Sequence, residues 1–146
     1  MNIGGHDRVT WFLFPIVVLG SFWLLGETGF IIGASFLFSG FMFNGDLDIH
    51  SNVYRRWLFL KWIWWPYRLF GHRSIWTHGP LIGTLTRLLW VGIPLSGLCY
   101  YVGGMELLGL IVTSREFLEV LIGLELGNLS HSICDFLYSG GKRLFK

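Results

Sequence analysis

Four apolar stretches, residues 10–26, 28–43, 81–101 and 117–138, constrain this chain more than any other feature. A soluble domain dilutes such stretches with charge, at about a quarter of its residues. Here 14% of the 146 residues are charged, while 53% are hydrophobic and 18% aromatic. Their place is taken by 13 Phe, 8 Trp and 20 Gly. The composition predicts an integral membrane protein built as one domain over residues 1–146. It excludes disorder, which needs the opposite balance of charge and hydrophobicity. A formal net charge of +2 also offers no basic surface for phosphates, so no nucleic-acid partner is expected.

The predicted fold class is all-α: a polytopic membrane bundle of about four transmembrane helices. A crossing takes about 20 residues, with a lower limit near 17. By that measure the first two stretches are short. Separated only by Glu27, they read as a hairpin that spans a thin region or packs against the two longer helices. Gly20, Gly26, Gly29, Gly33 and Gly40 would allow close helix approach. The first stretch lacks a basic leader and a small-residue cleavage site, so it is expected to be structural. Cys99 and Cys134 lie within apolar stretches and read as reduced, buried thiols.

Residues 44–80 have a different texture. Arg55, Arg56, Lys61, Arg68 and Arg73 alternate with Trp57, Trp62, Trp64, Trp65, Tyr67 and Trp76. Rings at headgroup level and cations facing anionic lipid make an interfacial helix between the second and third spans, with membrane lipid as the partner. With four crossings, nine of the eleven basic residues fall on the side that holds both termini and this loop. The positive-inside rule makes that side cytoplasmic, in a bacterial inner or thylakoid membrane.

All four Asp lie within four residues of a His. His6 adjoins Asp7; Asp46, Asp48 and His50 form Gly-Asp-Leu-Asp-Ile-His; His72 and His78 bracket a seven-residue stretch; His131 and Asp135 share a helix face at i and i+4. An up-down-up-down bundle delivers all of these groups to one membrane face. Ionisable groups within an apolar helix, as at His131 and Asp135, are costly and usually functional. Imidazole and carboxylate favour Zn²⁺, Fe²⁺ or Mn²⁺ over Cu(I). Nine candidates exceed one zinc's four ligands, which suggests two ions, or one ion with carboxylates orienting its imidazoles.

In order, His-Asp-Arg at 6–8, Gly-Asp-Leu-Asp-Ile-His-Ser at 45–51, His-Arg-Ser-x-x-Thr-His-Gly-Pro at 72–80 and Leu-Gly-x-x-x-His-Ser at 126–132 carry a resemblance over nearly the whole chain. The chain resembles a bacterial family, frequent in cyanobacteria, of predicted metal-binding membrane proteins. More distantly it is similar to the membrane-bound metal-dependent hydrolases, with Asn44-Gly45 where those tend to have Pro, a change that loosens the loop. The resemblance implies a metal site at His6, Asp7, Asp46, Asp48, His50, His72, His78, His131 and Asp135, and no established reaction.

Two functions fit these residues. In the first, a divalent ion supports hydrolysis of a phosphoester or lipid headgroup, with an unligated Asp48 or Asp7 as general base and Arg73 gripping a phosphate oxygen. No GxSxG elbow or phosphate-cradling Gly-rich loop supports acyl transfer or nucleotide hydrolysis instead. In the second, the metal is structural and pins the helices of an accessory to a larger membrane complex or homo-oligomer. Arg87 and Glu125 fall at similar depths and are expected to pair across the two longer helices, in preference to Arg87 reaching up to a carboxylate of the metal site.

Overall fold

The computed structural model describes residues 3–72 and 74–144, with side chains described for 5–72 and 74–138. The described residues are all-helical. Seven α-helices, α1 (Ile3–Leu25), α2 (Gly29–Met42), α3 (Asn52–Arg56), α4 (Ile75–His78), α5 (Ile82–Tyr101), α6 (Met105–Val112) and α7 (Arg115–Leu144), are joined by short links and 3-10 turns.

Helices α1 and α2 form a hairpin closed by a 3-10 turn at Gly26–Thr28, where Gly26 takes a φ of +70°. Small residues let the backbones approach. A Cβ on Gly40 would come within 2.5 Å of Thr10 Cγ2, and Gly33 is filled against Val18 in the same way. Gly20 faces open space and makes no such approach. The most extensive interface joins α2 to α7. There a Cβ on Gly123 would lie 2.6 Å from Ser35 Cβ, and one on Gly127 2.5 Å from Ser39 Cβ. At that contact the Ser39 hydroxyl donates to the Leu124 carbonyl at 2.6 Å. Serine thus satisfies itself across the interface rather than costing a buried polar group.

In contrast, α5 stands apart from α7 and touches it sparingly. It is tied mainly to the α4 segment before it, and Trp90 Nε1 donates to the Ile63 carbonyl at 3.0 Å. The α4–α5 link includes Leu81 at a φ of +60°, a strained position for a branched side chain. Its backbone N–H donates to Glu125 Oε1 at 2.9 Å. Arg87 is fully buried, yet it makes no salt bridge to Glu125. Its guanidinium donates to the Thr77 carbonyl at 2.7 Å and to Thr84 Oγ1 at 3.3 Å, and it lies 5.6 Å from the centre of the Phe43 ring. The expected pair therefore gives way to two separate braces, each holding one end of the α4–α5 link.

The expected single interfacial helix is instead a succession of short pieces. After α3, 3-10 turns run over Leu58–Trp64 and Pro66–Phe70. Leu58 at a φ of +50° ends the α-helical path, and Pro66 opens the second turn. With three residues per turn, residues three apart share a face. Phe59, Trp62 and Trp65 are exposed, while Trp64 and Tyr67 are fully buried. Those two rings join Phe43, Leu47, Val53, Tyr54 and Leu124 in the core. Burial pushes the Tyr67 phenol up, so it stays a neutral hydroxyl that donates to the Trp76 carbonyl at 3.3 Å.

By length and composition, two stretches of the described residues suffice to cross a membrane: Gly5–Asp48, which takes in α2 and all but the first two residues of α1, and Ile82–Tyr101, which is α5. Helix α2 alone has 14 residues, about 21 Å of rise, against a hydrocarbon core of about 30 Å. Cys99 and Cys134 are free thiols, each partly rather than fully buried.

Candidate metal centre

Four chain segments meet at the end of the bundle where the core lies. The first turns of α1 bring His6, the turn after α2 brings Asp46 and Asp48, the α4 segment brings His72 and His78, and the later part of α7 brings His131 and Asp135. Each is locally fixed. Asn44, fully buried, accepts the Asp46 N–H on its Oδ1 at 3.1 Å and donates from Nδ2 to the Gly40 carbonyl at 2.8 Å. This side chain anchors the 3-10 turn Gly45–Asp48, so the loop is not loosened by the absence of proline. Gly45 leaves room for the His78 ring: a Cβ there would come within 2.7 Å of His78 Nε2, so any larger residue would have to displace that ring. Ser132 on α7 donates to the His78 carbonyl at 3.0 Å, which ties the α4 segment to the helix carrying His131.

Asp46, His78, His131 and Asp135 each present a ligand atom, all within 4.8 Å of one another. His131 Nε2 lies 3.4 Å from Asp46 Oδ1 and 3.8 Å from Asp135 Oδ2, and His78 Nε2 lies 3.8 Å from Asp46 Oδ1. These separations are too long for good hydrogen bonds. They are close to the spacing of two atoms on one ion: bonds of about 2.0–2.2 Å in a tetrahedron hold ligands roughly 3.3–3.6 Å apart. His131 is 3% exposed, and both of its ring nitrogens lack a hydrogen-bond partner among the described residues, as does His78 Nε2. Buried polar atoms are nearly always satisfied, so unpartnered nitrogens aimed at carboxylates fit a bound cation. The donor set, two imidazoles and two carboxylates, suits a divalent metal of the zinc, iron or manganese kind.

Around this group the remaining residues divide. His6 Nε2 lies 3.1 Å from Asp135 Oδ1, and its ring lies against that of His131 at 4.2 Å, a contact that would orient a candidate ligand carboxylate. His72 Nδ1 is hydrogen-bonded to Asp48 Oδ1 at 2.8 Å, and with His78 these make a second group of ligand atoms within 4.8 Å. Asp7 and His50 lie outside both groups. Asp7 is gripped through both oxygens by Arg56, at 3.2 and 2.6 Å, and His50 Nε2 meets Arg68 at 2.9 Å. Asp7 therefore stands as an ion-pair partner rather than a free base or ligand. Arg73, expected to grip phosphate, lies outside the described residues. A cavity of about 230 Å³ opens onto His6, Asp46, His72, His131 and Asp135, so the group is reachable from outside.

Reading the sequence for metal ligands alone misses the residues that set their geometry. Asn44, Gly45, Thr77 and Ser132 carry no ligand chemistry, although each is adjacent to a ligand or one residue removed from one.

A protein described as "Uncharacterized protein" from Aquifex aeolicus (strain VF5) is 43% identical over 61 residues, which cover 40% of this chain. The matched region spans 43% of that relative's own length. No solved structure matches the chain. A family model described as "Uncharacterized metal-binding protein (DUF2227)" matches residues 4–145, so with its four converging His/Asp segments this chain belongs to that metal-binding family.

Proposed function

We propose that the protein is embedded in a bacterial membrane, holds zinc in a His/Asp centre at the cytoplasmic face, and uses it to hydrolyse a phosphoester or lipid headgroup. The observation that carries this reading is the unpartnered ring nitrogens of buried His131 and the unpartnered Nε2 of partly buried His78, beside Asp46 and Asp135 and next to a cavity that opens to the outside. Asp46, His78, His131 and Asp135 would hold the ion. When bound, it supplies Lewis acidity for activating water and polarising a phosphoryl oxygen. His6 orients Asp135 through its 3.1 Å contact. The exposed Phe59, Trp62 and Trp65 set the 3-10 segment at headgroup depth, where a lipid phosphate would meet the cavity.

The helices of the bundle, α1, α2, α5 and α7, would cross or enter the bilayer with both termini inside. Labelling of Arg55→Cys and Thr113→Cys in a background lacking Cys99 and Cys134 tests this, since both positions are exposed. Opposite sides are expected; labelling of both from one side overturns the topology. For the chemistry, metal-loaded protein in detergent should release phosphorylated headgroup from phospholipid, and His131→Ala should lose at least about a hundredfold in rate. No metal-dependent release by folded, loaded protein would favour the alternative of a structural metal. That alternative draws support from the three separate segments, the turn after α2, α4 and α7, that one ion would clamp together.

A further inference from the structure

We infer that the centre is dinuclear, with the imidazole of His78 bridging two divalent cations; this rests on the metal-binding reading above and extends it. The second site would be Asp48, His72 and the far nitrogen of His78. His78 presents one ring nitrogen to each side: Nε2 stands 3.8 Å from Asp46 Oδ1, and Nδ1 stands 3.7 Å from Asp48 Oδ2. Both spacings are too long for a hydrogen bond and close to that of two ligands on one ion. A cation at the first group alone leaves Asp48 Oδ2 unsatisfied, and Asp48 is 3% exposed with that oxygen unpartnered. Three carboxylates, those of Asp46, Asp48 and Asp135, then face one divalent charge in a buried setting, an imbalance that a second cation corrects.

The ring is held for this role. Gly45 leaves no side chain between its turn and Nε2, since a Cβ there would lie 2.7 Å from it. On the other side Thr77 Oγ1 lies 3.0 Å from Nδ1. That hydroxyl has the Gly71 and Ser74 carbonyls as alternative partners, each at 3.3 Å, so it can release the nitrogen. The proton on the ring leaves to solvent as the second cation binds. Asp48 becomes a ligand in this arrangement, which replaces the proton-accepting role expected for it.

Elemental analysis of the protein purified in detergent and saturated with Zn²⁺ or Co²⁺ tests the assignment. Two ions per chain are expected, falling to one in His72→Ala and to one in Asp135→Asn. Low-temperature magnetic measurements on the Co²⁺-loaded wild type should show exchange coupling between the two ions, which either single-site variant abolishes. One ion in the wild type overturns the dinuclear assignment while leaving the metal-binding reading intact. Two uncoupled ions overturn the bridge. No ion under either loading overturns the metal-binding reading itself. Because the wild type alone distinguishes these outcomes, a variant that misfolds does not decide the matter.

Discussion

His6 and Asp7 are neighbours in sequence and part company in space. Successive residues on an α-helix point about 100° apart, so His6 faces Asp135 on α7 while Asp7 faces Arg56 at the end of α3. We therefore expect Asp7→Asn to leave metal content unchanged and to cost on the order of 1 kcal/mol through loss of a half-buried bidentate pair. Loss of an ion in that variant would return Asp7 to the ligand set. Gly45→Ala should do the reverse. Its methyl group displaces the His78 ring, and metal affinity measured by competition with a chelator should fall about tenfold or more, with the fold retained. Seven of the nine residues singled out from sequence converge in two overlapping groups and the His6 contact. What the sequence could not convey is which face each one takes, because adjacency in a motif and adjacency in space coincide only when the local backbone turns to make them so.

At the level of elements, the interface that organises the bundle is α2 against α7, and its basis is a pair of glycines one helical turn apart. Gly123 and Gly127 on α7 admit Ser35 and Ser39 of α2. The apolar stretches and their approximate limits were legible, since hydropathy tracks burial or lipid exposure directly. The glycines of α7 were not legible as contacts, because a glycine marks a close approach only where a neighbouring helix lies on its face; in the first hairpin Gly29, Gly33 and Gly40 meet such a neighbour, and Gly20 and Gly26 do not. The 3-10 character of 58–70 was likewise hidden, for basic and aromatic residues mark headgroup depth whichever helix type carries them. These contacts predict a contrast. Gly127→Ala forces a methyl group onto Ser39 and should lower stability by about 1–3 kcal/mol in thermal unfolding. Gly20→Ala meets open space within a helix and should gain about 0.5–1 kcal/mol. Equal effects at the two positions would mean that α2 and α7 are not packed at this distance.

On the scale of the whole molecule, the helices fall into two groups of unequal cohesion, and the candidate metal centre lies across their junction. Helix α2 buries small-residue interfaces against both α1 and α7, whereas α5 leans on α7 lightly and takes its position from α4 and the link between them. His78 is the last residue of α4, and its ring reaches the Asp46 turn and His131. A cation there would close the junction from the side that packing leaves open. Ligand binding stabilises the state that binds it, by about 2.7 kcal/mol at a hundredfold excess over Kd. That gain should be felt where opening breaks the centre, not evenly through the chain. Removing metal with a chelator should therefore speed amide hydrogen exchange in α4 and the first turns of α5, while the α2–α7 interface keeps its protection. Arg87 sharpens the test, because its guanidinium holds the Thr77 carbonyl directly before His78. Replacing it with Gln should loosen α4 in the metal-loaded protein and reduce the difference that chelation makes. If chelation raised exchange uniformly across α2, α5 and α7, the centre would act on global stability alone, and α4–α5 would not be the part that the metal holds.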